Sequence, residues 1–376
     1  MKVPRSTAAA IRSIRLVGGM VLMVYVTGHL TTLAFGLYSL DLLDRLRIPM
    51  MAPWQTRPGQ ALLYGALASH LVLGLLAVAQ RRSAISLNRS DLAQLALGVL
   101  IPVFLAWHVL RTRGAVTLGG DHATYGALMI AYWKVRPFYG LLQVLGLVVA
   151  WVHGCLGGYG WLRLRRCWPV TAPFLYPVAF FLPILALLGF VEAGKEAVAR
   201  FTSNGDIWAP EVRLALGKFA ALSPILLVWR DRFLLGYAIA AVAALLVFAA
   251  QVIRRRRRNA RVIHAGGPVI IASRGLSLLE IDRRQRIPHA SACSGRARCG
   301  TCRVRVLDGL ANLSPIEGAE REVLDRLSIS DPDIRLACQA ILLGLTVTIA
   351  RLVSASVEEE VARDPDAVGA AAAVWQ

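Results

Sequence analysis

The 376-residue chain is 56% hydrophobic with a mean hydropathy of +0.55, and its 42 Lys and Arg against 23 Asp and Glu give a formal net charge of +19. That composition excludes an ordinary soluble protein and puts most of the chain in a membrane. The cations gather at the ends of apolar runs rather than along one amphipathic face, so membrane topology and anionic lipid explain them and nucleic acid is not expected as a partner.

Lys2, Arg5, Arg12 and Arg15 lead straight into a run of spanning length, without the short apolar core and cleavage site of a removed signal peptide. Six such runs lie at roughly 16–39, 60–79, 92–110, 137–161, 169–191 and 233–253. Segments 1–15, 80–91, 162–168 and 254–261 are short and rich in Arg, which places both termini on the cytoplasmic side of a bacterial inner membrane. Arg254 to Arg258 read as a stop-transfer block, and the apolar stretch Leu214–Trp229, interrupted by Lys218 and Pro224, reads as an interfacial or re-entrant helix.

Each of the first four runs carries one histidine: His29, His70, His108 and His153. Counted at about 1.5 Å per residue from Arg15, Arg81, Asp91 and Arg163, His29 and His108 lie roughly 21–26 Å deep and His70 and His153 roughly 15–17 Å deep. A lone intramembrane histidine most often bonds a carbonyl or lines a water cavity. Four at two matched depths fit two haems, each held from both faces: an outer one by His29 and His108, an inner one by His70 and His153. No C-x-x-C-H motif occurs, so b-type haem is expected. Gly28 and Gly154 beside two of the histidines leave room for a porphyrin, and Arg81, Arg82, Arg163 and Arg165 inside, with Arg111, Arg113 and Arg136 outside, are candidates to meet propionates.

From about residue 261 the pattern turns mixed. A hairpin (261–265 and 269–273) around Gly266-Gly267, a helix at 276–285, a strand at 302–307, a helix at 314–327 capped by Ser314 with Glu317, and a strand at 345–350 are expected. Cys293, Cys299 and Cys302, in C-x5-C-x2-C spacing, are completed by Cys338 after 35 intervening residues, which is the ligand count of a 2Fe-2S cluster. Zinc is the competitor, but its structural sites more often show two C-x2–4-C or His pairs. Gly295 and Gly300 let backbone N–H groups approach the sulfides, and Cys155 and Cys167 read as inert thiols.

This order of elements and cysteines resembles a 2Fe-2S ferredoxin of β-grasp fold, with adrenodoxin-like rather than plant-like spacing. With the four histidines, His153-Gly154-Cys155 and Gly189-Phe190-Val191-Glu192 in the same order, the chain to about residue 355 resembles the N-terminal region of a group of bacterial class III adenylate cyclases. There, a dihaem anchor similar to the cytochrome b subunit of fumarate reductases precedes a ferredoxin domain and a cyclase domain. The residues that would bind metal and ATP are absent here, so cyclase activity is not carried over.

The fold expected is an all-α six-helix transmembrane bundle (1–253), a basic linker (254–260), a small α+β ferredoxin domain (261–357) and an acidic, Ala-rich tail (358–376). The leading functional expectation is electron transfer between a membrane donor such as quinol, two haems b and a cytoplasmic 2Fe-2S cluster. The alternative is a redox-sensing module for a cytoplasmic effector. Tyr132, Lys134, Arg136, Gln143, Glu192 and Lys195, at the outer ends of the fourth and fifth runs, are weak candidates for a quinone site.

Overall fold

The computed structural model describes residues 5–81, 89–119, 124–163, 165, 167–203, 208–256 and 259–354. Arg82 and the tail from 355 onward lie outside them.

Among the described residues six helical stretches are long and apolar enough to cross a membrane. They are built on α1 (Arg5–Ala34), α3 (Arg57–Ala79), α4 (Arg89–Val109), α7 (Pro137–Leu162), α8 (Trp168–Thr202) and α9 (Trp208–Arg256). Their outward faces are apolar, with Val24, Val72, Phe180 and Leu246 exposed as lipid contact requires. Inside the bundle α1 packs on α3 and α4 on α7, which sets the histidine-bearing helices around one interior. Against α8, α1 closes to backbone distance: a Cβ on Gly189 would lie 2.2 Å from the Leu33 carbonyl oxygen, so only glycine fits.

The last helix corrects the sequence reading. Leu214–Trp229 is not a separate interfacial element but part of the 49-residue α9, with Pro224 inside the helix. At about 1.5 Å per residue α9 is roughly 74 Å long, more than twice the ~30 Å apolar core of a bilayer. An interior proline costs about 3 kcal/mol; burial of Val212 and Leu226 and the packing of Phe219 on Trp107 offset it. The longest run of α9 free of charged residues follows Arg230-Asp231-Arg232.

Sequence reasoning also missed α2 (Leu40–Gln55) and the short helices α5 (Ala115–Gly119) and α6 (Tyr125–Ile130). Helices α2 and α6 pack on α8 and on each other, with N-termini satisfied by carboxylates from other elements, whereas α5 packs on α9. Glu196 accepts from the Leu40 N–H at 2.6 Å, and Asp44 from the Tyr125 N–H at 2.9 Å. Two π-helical turns, Leu110–Gly114 after α4 and Ala131–Val135 after α6, complete this layer.

The C-terminal unit is a five-stranded mixed sheet in the order β2-β1-β5-β3-β4. Its strands are β1 (Asn259–His264), β2 (Val269–Ser273), β3 (Arg303–Asp308), β4 (Ile334–Leu336) and β5 (Thr346–Arg351). Strands β1 and β5 pair in parallel at the centre and the other pairs are antiparallel. Alternating residues Val262, Ile270, Val304, Val347 and Ile349 face one core with Leu278 and Ile281 of α10 (Leu278–Arg284) and Leu324 of α11 (Ala319–Arg326). The expected cap at Ser314 is not formed: α11 starts later, at Ala319 with Gly318 as its N-cap, while Ser314 Oγ accepts from the Ile341 N–H. A capping box does form on α10, between Ser277 and Glu280.

Candidate functional site

Cys293, Cys299 and Cys302 sit on the loop between α10 and β3, and Cys338 follows β4. The loop turns tightly enough to need left-handed residues: Ser294, Gly295, Ala297 and Gly300 all have positive φ. At Gly300 (φ +75°) the left-handed backbone favours glycine, and a Cβ there would press on the Leu327 side chain. This curl aims backbone N–H groups of Arg296, Arg298 and Cys299 at the Cys293 sulfur, a concave arrangement suited to negative charge.

The four thiols fall into two facing pairs, Cys293 with Cys299 and Cys302 with Cys338. The Cys299 hydrogen bond, helped by those N–H groups, holds the Cys293 thiol well below its ordinary range. Its thiolate in turn pushes Cys299 up, and Cys338 together with burial raises Cys302. Among the described residues no three Cys, His, Asp or Glu side chains converge on a single point, as a mononuclear zinc site requires. Two sulfur pairs side by side instead suit two irons, each held by two thiolates. Thr301, which sequence reasoning did not single out, braces the loop: its Oγ1 accepts from the Ala292 N–H at 3.1 Å and lies 3.1 Å from Cys299 Sγ.

Behind Cys338, Arg335 is 1% exposed and is held in the core by Glu320 at 2.9 Å and by the Ser314 carbonyl at 2.7 Å. Glu320 also accepts from the Leu336 N–H at 2.8 Å, which fixes the strand leading into the last cysteine. Around Asp282 a second buried network forms, with His264 at 3.0 Å and His289 at 2.6 Å.

In the bundle the structure brings the four histidines together two by two. The rings of His29 and His108 have centroids 6.0 Å apart, those of His70 and His153 6.1 Å. The inner pair is built twice on one plan. His70 Nδ1 lies 3.0 Å from the Arg15 carbonyl, and a Cβ on Gly19, four residues on, would lie 3.0 Å from the His70 ring. His153 Nδ1 lies 2.9 Å from the Gln94 carbonyl, and a Cβ on Gly98, again four residues on, would lie 2.9 Å from the His153 ring. A carbonyl acceptor makes Nδ1 the protonated nitrogen and leaves Nε2 with a lone pair. Gly19 and Gly98 are therefore the glycines that seat the rings, whereas Gly28 and Gly154 face Met51 and Met23. At the outer pair His29 stacks on Tyr25, and Gln143 faces His108, whose Nδ1 is buried without a hydrogen-bond partner among the described residues.

One cavity of about 1850 Å³ is lined by all four histidines and runs on to Gly295, Arg296 and Cys338 of the cysteine site. Of the candidate arginines, Arg81, Arg113 and Arg165 line it, while Arg111 is buried against Phe219 and Arg136 stands outside. Arg163 donates to the Ala292 carbonyl at 2.7 Å, joining the bundle to the cysteine loop. Arg296, inside that loop, pairs with Asp91 at the start of α4 and donates to the Gly160 carbonyl at 3.3 Å. Of the outer polar candidates, Tyr132 and Gln143 line the cavity, Glu192 and Lys195 pair with each other at 2.8 Å, and Lys134 lies over Phe201.

Comparison with known proteins gives matches for the C-terminal unit. Residues 263–343 fit the family model of the 2Fe-2S iron-sulfur cluster binding domain. A 2Fe-2S ferredoxin of Pseudomonas aeruginosa is 36% identical over 75 residues, 20% of this chain and 67% of that protein. The 2Fe-2S ferredoxin-5 of Aquifex aeolicus is 35% identical over 68 residues, 18% of this chain and 71% of that one. The ferredoxin–NAD(P)(+) reductase component of the naphthalene 1,2-dioxygenase system of Pseudomonas putida is 34% identical over 83 residues, 22% of this chain and 23% of that protein.

Proposed function

Because the chain belongs, through residues 263–343, to the 2Fe-2S ferredoxin family, we propose that it is a membrane-bound electron-transfer protein linking a lipid-soluble donor, two b-type haems and a cytoplasmic cluster. The observation that carries this reading is the continuity of one cavity from His29 and His108, past His70 and His153, to the cysteine loop. The volume of about 1850 Å³ exceeds the ~1,000 Å³ upper range of ordinary ligand pockets, which supports more than one large group inside it. The ring spacing agrees: a metal about 2.0–2.1 Å from one nitrogen of each ring, the distance known for zinc–imidazole, leaves facing centroids about 6 Å apart.

Bound at these sites, two haems and a 2Fe-2S cluster supply one-electron exchange at three points along the chain. The residues of the chain do the rest. Arg15 and Gln94 carbonyls fix the tautomer and orientation of His70 and His153. The loop N–H groups favour negative charge on sulfur, and the Arg163 and Arg296 contacts hold the cysteine loop against the inner histidine pair. The inner pair is thus the one that meets the cluster and the outer pair the one that meets the donor. Quinol suits that donor, since it reaches the outer layer through lipid.

In this reading residues 1–253 form the anchor, 254–260 a linker and 261–357 the ferredoxin unit, with both termini on the cytoplasmic side of a bacterial inner membrane. A second reading, a regulatory module whose redox state changes the docking of the ferredoxin unit and so an effector such as an adenylate cyclase, draws on the same Arg296–Asp91 contact. The optical and EPR spectra of the purified protein test the first. A bis-histidine b-type spectrum together with the low-temperature signal of a reduced 2Fe-2S cluster is expected; cluster signal with no haem absorbance would overturn it.

A further inference from the structure

Where the cavity passes from the inner histidines to the cysteine loop its walls carry a concentration of like charge. Arg15 of α1 and Arg81 after α3 face Arg296 of the cysteine loop, and Arg298 of the same loop faces Arg12 of α1, Arg165 and Arg296. All six line the one cavity. The carboxylates within reach of this group among the described residues are Asp91 and Glu280. Asp91 is engaged by Arg296, and Glu280 accepts from Ser277 in the cap of α10. On the far wall Glu322 and Arg326 of α11 cancel in charge, and Arg283 is bonded to Ser291.

Four half-buried guanidinium groups, of Arg15, Arg81, Arg296 and Arg298, with the exposed Arg12 and Arg165 at their edge, come from two folding units and outnumber the two committed carboxylates and the Cys293 sulfur that faces Arg298, so they repel one another across the junction. Two features tie the array to the inner histidine pair and to the bundle. The Arg15 residue whose side chain joins the array also supplies the carbonyl that orients His70, so the array begins at the inner histidine pair. Gly160 leaves the space taken by Arg296, where a Cβ would lie 2.5 Å from its Nη1.

We propose that these arginines receive the two propionate carboxylates of the group held by His70 and His153, so that the inner tetrapyrrole itself clamps the ferredoxin unit onto the membrane bundle. This rests on the dihaem reading above. The arginines from α1 and α3 and those of the cysteine loop then grip the same anions from opposite sides, and repulsion across the interface becomes attraction through them. Phosphate of an anionic lipid is the other source of negative charge at this depth, and it is separable by experiment.

The test is hydrogen–deuterium exchange of the backbone around Arg296 and Arg298, in the full chain in phosphatidylcholine nanodiscs, loaded either with haem or with haem dimethyl ester. Both forms can be ligated by two imidazoles, which the optical spectrum verifies; only the first has carboxylates. Exchange at residues 294–298 is expected to be at least tenfold faster with the ester than with haem, and Arg298→Gln should shift the haem-loaded protein in the same direction. Equal protection in the two forms would overturn the clamp, as would protection restored to the ester form by phosphatidylglycerol, which would assign the arginines to lipid. Absence of any b-type spectrum in the haem-loaded protein would instead remove the dihaem reading, and the clamp with it.

Discussion

Arg335 and Glu320 form a bidentate pair with both side chains 2% exposed, and Glu320 also holds the Leu336 N–H on the approach to Cys338. Removing one partner leaves a buried charge without compensation, at a cost of about 3–5 kcal/mol. Arg335→Ala should therefore lower the stability of the ferredoxin unit by that amount in denaturant unfolding and reduce cluster content, whereas a surface change such as Arg351→Ala should do neither. The Asp282 network adds a pH dependence. Burial alone would raise the Asp282 carboxyl, but hydrogen bonds and charge from His264 and His289 outweigh it and hold the group below its ordinary range. A depressed carboxyl stabilises the fold fully above its unfolded value of about 3.9 and loses that contribution as pH falls through the folded value. Asp282→Asn should thus be less stable than wild type at neutral pH, with the difference shrinking below about pH 4 in acid titrations followed by circular dichroism. The cysteines and histidines were legible in the sequence because each is a rare residue at informative spacing. Thr301, Gly19 and Gly98 were not, because a hydroxyl or a glycine acquires its role only from the neighbour that another segment brings to it.

At the scale of elements, the paired plan of the inner site makes a prediction that depth counting could not. The histidine of α3 rests on α1 and that of α7 on α4, each over a glycine four residues beyond its carbonyl partner. Gly98→Val should displace His153 and remove the inner haem while sparing the outer, read as loss of about one of two haems by pyridine haemochrome with His29 and His108 intact. A variant that keeps both haems at wild-type spectra would contradict the geometry. The six apolar runs were read correctly from length and hydropathy, since lipid imposes those on every span. Helices α2, α5 and α6 escaped notice because they are short, proline-bearing or of mixed polarity, and α2 and α6 are held by carboxylates from distant elements rather than by a local pattern. Helix α9 was read as two elements, an interfacial or re-entrant helix over Leu214–Trp229 and a run at 233–253, because charges and a proline interrupt the apolar pattern, yet the backbone continues through them as one helix.

Across the whole molecule the proposed route runs from donor to the outer pair, from the outer to the inner pair, and from the inner pair to the cysteine loop. Asp91→Ala, which removes the carboxylate held by Arg296, should slow the last step while leaving haem and cluster content unchanged. The β-grasp unit could be read from the sequence almost strand by strand, apart from the short β4, because its pattern is local and its cysteines fix its register. How that unit sits on the bundle could not, since it depends on contacts such as Arg163 with Ala292 between residues far apart in the chain. The measurement that tests the route most directly is stopped-flow reduction of the purified protein by a soluble quinol analogue, following haem and cluster absorbance together in wild type and His29→Ala. The route predicts haem reduction ahead of the cluster in wild type and, in the variant, cluster reduction slowed by at least tenfold although dithionite still reduces the cluster fully. Reduction of the cluster by quinol at the wild-type rate without the outer pair would contradict it.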